Sequence, residues 1–179
     1  MEDGAVDPRS EPDRQHIVET ASKALAAMNT GSDEGAVDRL TEVVSADSAR
    51  QAENRADAQE LMLLLFQECS AMVTALNEGT IGPDAGPAPV RMQVYDDDGE
   101  EIPIDQADPP VRTAVRTLLA EVHGDREAAR THIEIALANA APEEMVTLMI
   151  QALRWTLRLS HECTTRDLPV ADWITRALS

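Results

Sequence analysis

Two cysteines in 179 residues, Cys69 and Cys163, are too few and too irregularly placed to make a disulfide scaffold. None is needed, because a compact chain of this length buries about 70% of its unfolded surface. The pair fits a reducing compartment. The chain opens MEDGAVDPRSEPDR, with no basic region leading into an apolar run, so a cytoplasmic location is the expectation. Long hydrophobic runs are missing too: the most apolar stretch, LMLLLFQECSAMVTAL, is interrupted by Gln67 and Glu68 and is too short to span a bilayer. No membrane partner is expected. Glycine-rich phosphate loops, nucleophile elbows and metalloprotease helices are also lacking, and the many carboxylates fall mostly on solvated faces. The expectation is therefore a protein without catalytic activity and without a cofactor.

Lysine is nearly absent, since of fifteen basic residues all but Lys23 are arginine, against 33 acidic residues. The resulting net charge of −18 is uneven. Met1 to Pro110 holds 24 acidic and 7 basic residues, whereas Val111 to Ser179 holds 9 and 8. Phosphate backbones are bound by cations that release counterions, so an acidic surface disfavours direct nucleic-acid binding.

What is present is helical periodicity. Ser10, Glu11 and Pro12 form a helix start, and Ile17, Ala21, Ala24, Leu25 and Met28 make one apolar stripe. After NTGSD a second helix turns Ala36, Val37, Leu40, Val43 and Val44 inward. A third runs to about Leu76 with a wide apolar surface that predicts a central position. Asn77 to Pro89 reads as a linker. Val90, Met92 and Val94, then Ile102 and Ile104, alternate around DDDG, which predicts a hairpin with an Asp97–Asp98–Gly99 loop, pairing Val94 with Ile102 and Met92 with Ile104. Two strands are marginal alone, so this face should lie on helices or on a second copy of the chain. Asp108 then caps a helix with Val111, Ala114, Val115, Leu118, Leu119 and Val122 inward, ended by Gly124. Asp125 opens a helix burying Ala129, Ile133, Ala136, Leu137 and Ala140. Pro142 starts an almost wholly apolar one, and a short helix beginning near Pro169 places Val170, Trp173, Ile174 and Leu178 on one face.

At an offset of 93 residues Leu25, Gly31, Glu34, Ala36, Leu40 and Val44 match Leu118, Gly124, Glu127, Ala129, Ile133 and Leu137, which raises the possibility of an internal duplication. The segment GDREAARTHIEIAL resembles the second helix of a tetratricopeptide repeat, with Ala129, Ile133 and Ala136 in fitting places. The large residue and Gly-Tyr pattern of the preceding helix are absent, and no tandem units recur. The resemblance implies helix-turn-helix packing through small residues and assigns no peptide-binding residue.

Other motifs fail on chemistry. A DNA-reading helix-turn-helix has buried aliphatics where Asp125 and Arg130 stand. A calcium loop with Gly99 sixth would begin at Val94, which has no side-chain oxygen, and end at Asp105 rather than Glu. His16, His123 and His132 lack partners at metal-ligand spacing. Cys163 with His161 as base is conceivable as a nucleophile only if the helix has ended there.

The near-neutral second half carries arginines four apart: Arg112 and Arg116, Arg126 and Arg130, Arg154 and Arg158. Like charges at this spacing repel by a few tenths of a kcal/mol unless an acidic surface faces them. These six are candidate docking residues for carboxylates of the acidic half, within one chain or across a dimer. The plainer account, which the composition favours, is a solvated helix face interspersed with Glu121, Glu127 and Glu134.

The sequence therefore predicts a mainly α fold: two antiparallel three-helix units, a short β-hairpin between them and a C-terminal helix. Residues 1–9 are read as a disordered N-terminus, 10–76 as one helical unit, 77–108 as a linker with the hairpin, and 109–179 as the second unit. The function expected is a protein-interaction adaptor or regulator, with an unidentified protein partner and homo-oligomerisation, a dimer being the simplest form. The alternatives are an acidic nucleic-acid mimic occupying the basic groove of a DNA-binding protein, and a ligand-binding or enzymatic protein with a cavity between the bundles. If the arginines dock carboxylates, Arg154→Glu combined with Arg158→Glu changes thermal stability, mass or salt response; a variant indistinguishable from the parent in all three refutes the docking.

Overall fold

The computed structural model describes residues 11–44, 50–80, 90–96 and 98–179. The expectations placed on residues 1–9, Ser10, Asp97 and the 81–89 part of the linker lie outside them. The described elements are α1 (Glu11–Asn29), α2 (Asp33–Val44), α3 (Gln51–Thr80), β1 (Val94–Tyr95), β2 (Glu101–Ile102), α4 (Pro109–Val122), α5 (Arg126–Asn139), α6 (Pro142–Thr165) and α7 (Asp172–Ala177). The protein is mainly helical, with a two-stranded antiparallel hairpin between helices and a short C-terminal helix. Among the described residues no helix is long and apolar enough to cross a membrane.

Six of the seven described helices, α1–α3 and α4–α6, fall into two successive groups of three that interlock, and α7 packs on α1. Helices α3 and α6 share the most extensive contact in the molecule, while α5 packs on α3 and α2 packs on α6. Each group's third helix thus covers the second helix of the other. One continuous core results, containing Leu25, Leu40, Leu61, Phe66, Leu118, Ile133, Met149 and Leu153. The width of the apolar surface on α3 follows from this, because α3 has neighbours in both groups. Phe66 of α3 meets Trp155 of α6 edge-on, with ring centroids 6.4 Å apart and planes at 71°. Beside them the Cys69 thiol lies 3.3 Å from the Thr156 hydroxyl.

The turns α1–α2 and α4–α5 share one geometry at the offset of 93. Gly31 and Gly124 take φ of +81° and +77°, which costs a glycine little and an L side chain about 1–2 kcal/mol. Each donates its N–H 3.0 Å to the carbonyl three residues back, Met28 or Glu121. In the next helix, Ser32 Oγ accepts from Gly35 N and Asp125 Oδ1 from Ala128 N, at 3.1 and 2.9 Å. This is a likeness of turns and does not establish a duplication.

Several expectations are corrected. Helix α3 runs to Thr80, past Leu76, because nothing before Pro83 removes a backbone donor. Val37 is partly exposed, since it lies about 100° round α2 from the buried Ala36. Asp108 occupies the N-cap position of α4 without a side-chain cap bond. In the hairpin Val94 pairs with Ile102 as expected, but Ile104 enters a 3-10 turn over Ile104–Gln106 instead of pairing with Met92. Pro103 has no N–H to extend the ladder. Val94 is buried with Ala107 and Val115, and Met92, Ile102 and Ile104 pack on the same cluster. The apolar hairpin face is thus covered by the chain's own α4.

Because Phe66 is fully buried at the α3–α6 contact, Phe66→Ala is expected to cost about 3–5 kcal/mol, read from chemical denaturation. A loss under 1 kcal/mol is incompatible with this packing.

Candidate functional site

Among the described residues three of the six candidate arginines form ion pairs, one from each pair of arginines. Arg116 on α4 meets Asp105, Arg130 on α5 meets Glu60 of α3 at 3.4 Å, and Arg154 on α6 meets Asp33 of α2 at 3.4 Å. All three carboxylates come from the first 110 residues. The pairs are exposed, so each contributes about 0–1 kcal/mol. Arg112 donates to the Asp105 backbone carbonyl at 3.1 Å. All six line clefts, Arg126 and Arg158 among them.

The cleft containing Arg126 has the most chemistry. It lies where α1 and α3 meet α4 and α5, with a volume of about 320 Å³. Arg14 enters from α1, Arg126 and Arg130 from the first turns of α5, and Glu60 and Gln67 from α3. Ile17, Val18, Leu63 and Leu64 supply an apolar wall. Glu121, in the last turn of α4, reaches the same cleft and is only 8% exposed.

The sequence reads Glu121 as solvated like Glu127 and Glu134, but the structure buries it. It lies three residues after Leu118 and seven after Ala114, both buried, so it continues the apolar stripe of α4 into the core. Its Oε1 has no hydrogen-bond partner among the described residues. Burial pushes its carboxyl pKa up, opposed by the nearby charges of Arg126 and Arg130. A buried carboxylate is costly unless paired and hydrogen-bonded, so this enclosed oxygen is a cost carried by the fold.

Arg14 had no role in the sequence reading. Nothing local marks it, since it reaches the cleft only because α1 folds against α3. Glu121 carried a signal in its spacing.

The other reactive side chains are closed off. Cys163 lies within α6, which continues to Thr165, and its buried thiol is 3.8 Å from the Met72 carbonyl. The condition for a Cys163–His161 nucleophile, an ended helix, is not met. Burial pushes the Cys69 thiol up to about 12 and raises that of Cys163, and the thiolate is the reactive form. Among the described residues no three His, Cys, Asp or Glu side chains are grouped as a metal would require. The arrangement in the cleft is suited to holding charge, with guanidinium groups offering planar pairs of donors to an anion.

A glutamate whose pKa is raised in the fold binds its proton more tightly folded than unfolded. Its favourable contribution is complete below the unfolded value, 4.5, and is lost as pH rises through the folded value. Glu121→Gln is therefore expected to raise the melting temperature at pH 7, with the gain fading as pH falls through the raised folded value and gone below 4.5. A variant that melts lower at pH 7 would show instead that attraction to Arg126 and Arg130 outweighs burial. No protein-family model matches this chain, and neither a curated protein nor a solved structure matches it, so its function is argued from the cleft.

Proposed function

We propose that this protein is a non-catalytic binding protein that captures a small anionic ligand in the cleft between its two groups of helices. The observation that carries this reading is that Arg14, Arg126 and Arg130 line one cleft together with the largely buried Glu121. Arg130 is paired with Glu60, and the guanidinium groups of Arg14 and Arg126 offer donors that an anion would take up. The volume, near the lower end of the range for ligand sites, suits a metabolite.

A partner-docking role has one specific feature in its favour. Ile135 on α5 is 58% exposed beside a second groove of about 360 Å³ between α4, α5 and the start of α6. That groove has no buried unpartnered acceptor, so the adaptor role ranks second.

The test is a thermal-shift panel of phosphate, citrate and short carboxylates at constant ionic strength. A ligand at one hundred times its Kd stabilises by about 2.7 kcal/mol, which for a chain of this size raises the melting temperature by roughly 5–10 °C. The rise should disappear in the double variant Arg14→Gln, Arg126→Gln. No rise with any anion, or an equal rise in the variant, removes the reading.

A further inference from the structure

We infer that the apolar cleft beside the hairpin is a second binding site, which takes a short amphipathic acid, its ring or hydrocarbon chain on Trp155 and its carboxylate on Arg91 and Arg158. This site is separate from the cleft between the two groups of helices and does not depend on what that cleft binds.

The cleft has a volume of about 230 Å³, and its apolar lining comes from Val73 of α3, Leu118 and Val122 of α4, Trp155 and Leu159 of α6, and Met92 before β1. Met92 and Trp155 pack on both the main core and the small cluster under the hairpin, so the cleft lies where the two meet. Leu118 is buried, whereas Val73, Met92, Val122, Trp155 and Leu159 are each only partly covered. Apolar surface left in water here is a driving force still to be used, at about 25 cal/mol per Å². The indole is already fixed, because Phe66 stands edge-on to it with ring centroids 6.4 Å apart. An apolar cavity of about 150 Å³ accommodates benzene, so this one takes a single ring or a short carbon chain with room for a polar end. Nine described residues line it, against roughly 20–30 a side in a standard protein interface, which favours a small molecule over a protein partner.

Charge decides which small molecule. The charged side chains among the described lining residues are Arg91 and Arg158, with no carboxylate beside them. Both are exposed, and among the described residues neither is in an ion pair. Arg154, one turn earlier on α6, has Asp33 for a partner, so Arg158 is the member of that pair left without a carboxylate. A ligand acid supplies it, and a guanidinium presents the planar pair of donors that a carboxylate accepts. A base of the same shape meets two like charges. A neutral molecule takes up the apolar surface and leaves both guanidinium groups unused. The other grooves lack this combination: the one between α2 and α6 has Arg154 engaged and Glu143 in its lining, and the one at the start of α6 contains Glu144 and arginines engaged at Asp105.

The chain contains two tryptophans, Trp155 and Trp173, so Trp173→Phe makes the indole in the cleft the sole one. The experiment follows its emission while the full chain carrying Trp173→Phe is titrated with benzoate, phenylacetate, hexanoate and octanoate, each beside the matching alcohol. At least one acid should shift the emission saturably and bind about tenfold or more tighter than its alcohol. Arg91→Gln combined with Arg158→Gln, shown to be folded by its melting curve, should bring that ratio close to one. If Trp173→Phe does not fold, the same titrations of the parent chain are read by calorimetry. No binding by any of the acids overturns the site, as does an alcohol that binds as tightly as every acid. A preference for acid that survives the Arg91 and Arg158 substitutions overturns it too. Phosphate and citrate, which have no apolar end, should leave the Trp155 emission unchanged, and an equal shift with either shows a general charge effect and removes the site. An acid whose binding is lost in Arg14→Gln with Arg126→Gln occupies the other cleft, which overturns this site and leaves the anion reading standing.

Discussion

The packing of α3 against α6 is the constraint on which the rest of the architecture depends. Both helices lie at the centre, and each is partly clothed by helices of the opposite group, so neither group of three buries its apolar surface without the other. The apolar area shared across that seam is the main source of stability, since burial contributes about 25 cal/mol per Å² and the exposed ion pairs contribute little. The cleft is a by-product of the same interlock. Arg14 and Glu60 belong to the first group of helices, Glu121, Arg126 and Arg130 to the second, and they face one another only because α3 is seated against α4 and α5.

Electrostatics complements this packing. A strongly acidic first part and a nearly balanced second part would gain little from meeting as featureless surfaces. Arg130–Glu60 and Arg154–Asp33 each join α5 or α6 to a helix of the acidic part, and Arg116 reaches the segment that links the groups. At these exposures such pairs act less through energy than through orientation, favouring the approach in which each guanidinium finds a carboxylate. Arg126 stands apart, next to a carboxylate that the core has already claimed.

Much of the fold was legible because period and punctuation agree. The stripes of α4 and α5, the left-handed Gly31 and Gly124, the Asp125 cap and the Val94–Ile102 register all follow from residues close in sequence. The pairing of Met92 with Ile104 failed where a missing N–H at Pro103 outweighed alternation. The interlock was not legible, because periodicity says which face of a helix is apolar and not which other face it meets. Glu121 was misplaced for a different reason: its charge was weighed before its position, although its spacing from Ala114 and Leu118 puts it on the buried side. Arg14 carried no such clue, since its neighbours in the cleft are distant along the chain.

The two thiols lend the central seam a further property. Cys69 faces Thr156 and the Ala152 carbonyl across it, and Cys163 faces the carbonyl of Met72 in the reverse direction. Buried and held in the protonated form, both are shielded from alkylating reagents while the halves stay closed. The chain thus contains a pair of internal reporters, one on each central helix. The rate at which they become modified measures how often the two halves part, and anything that fastens the halves together slows that chemical clock.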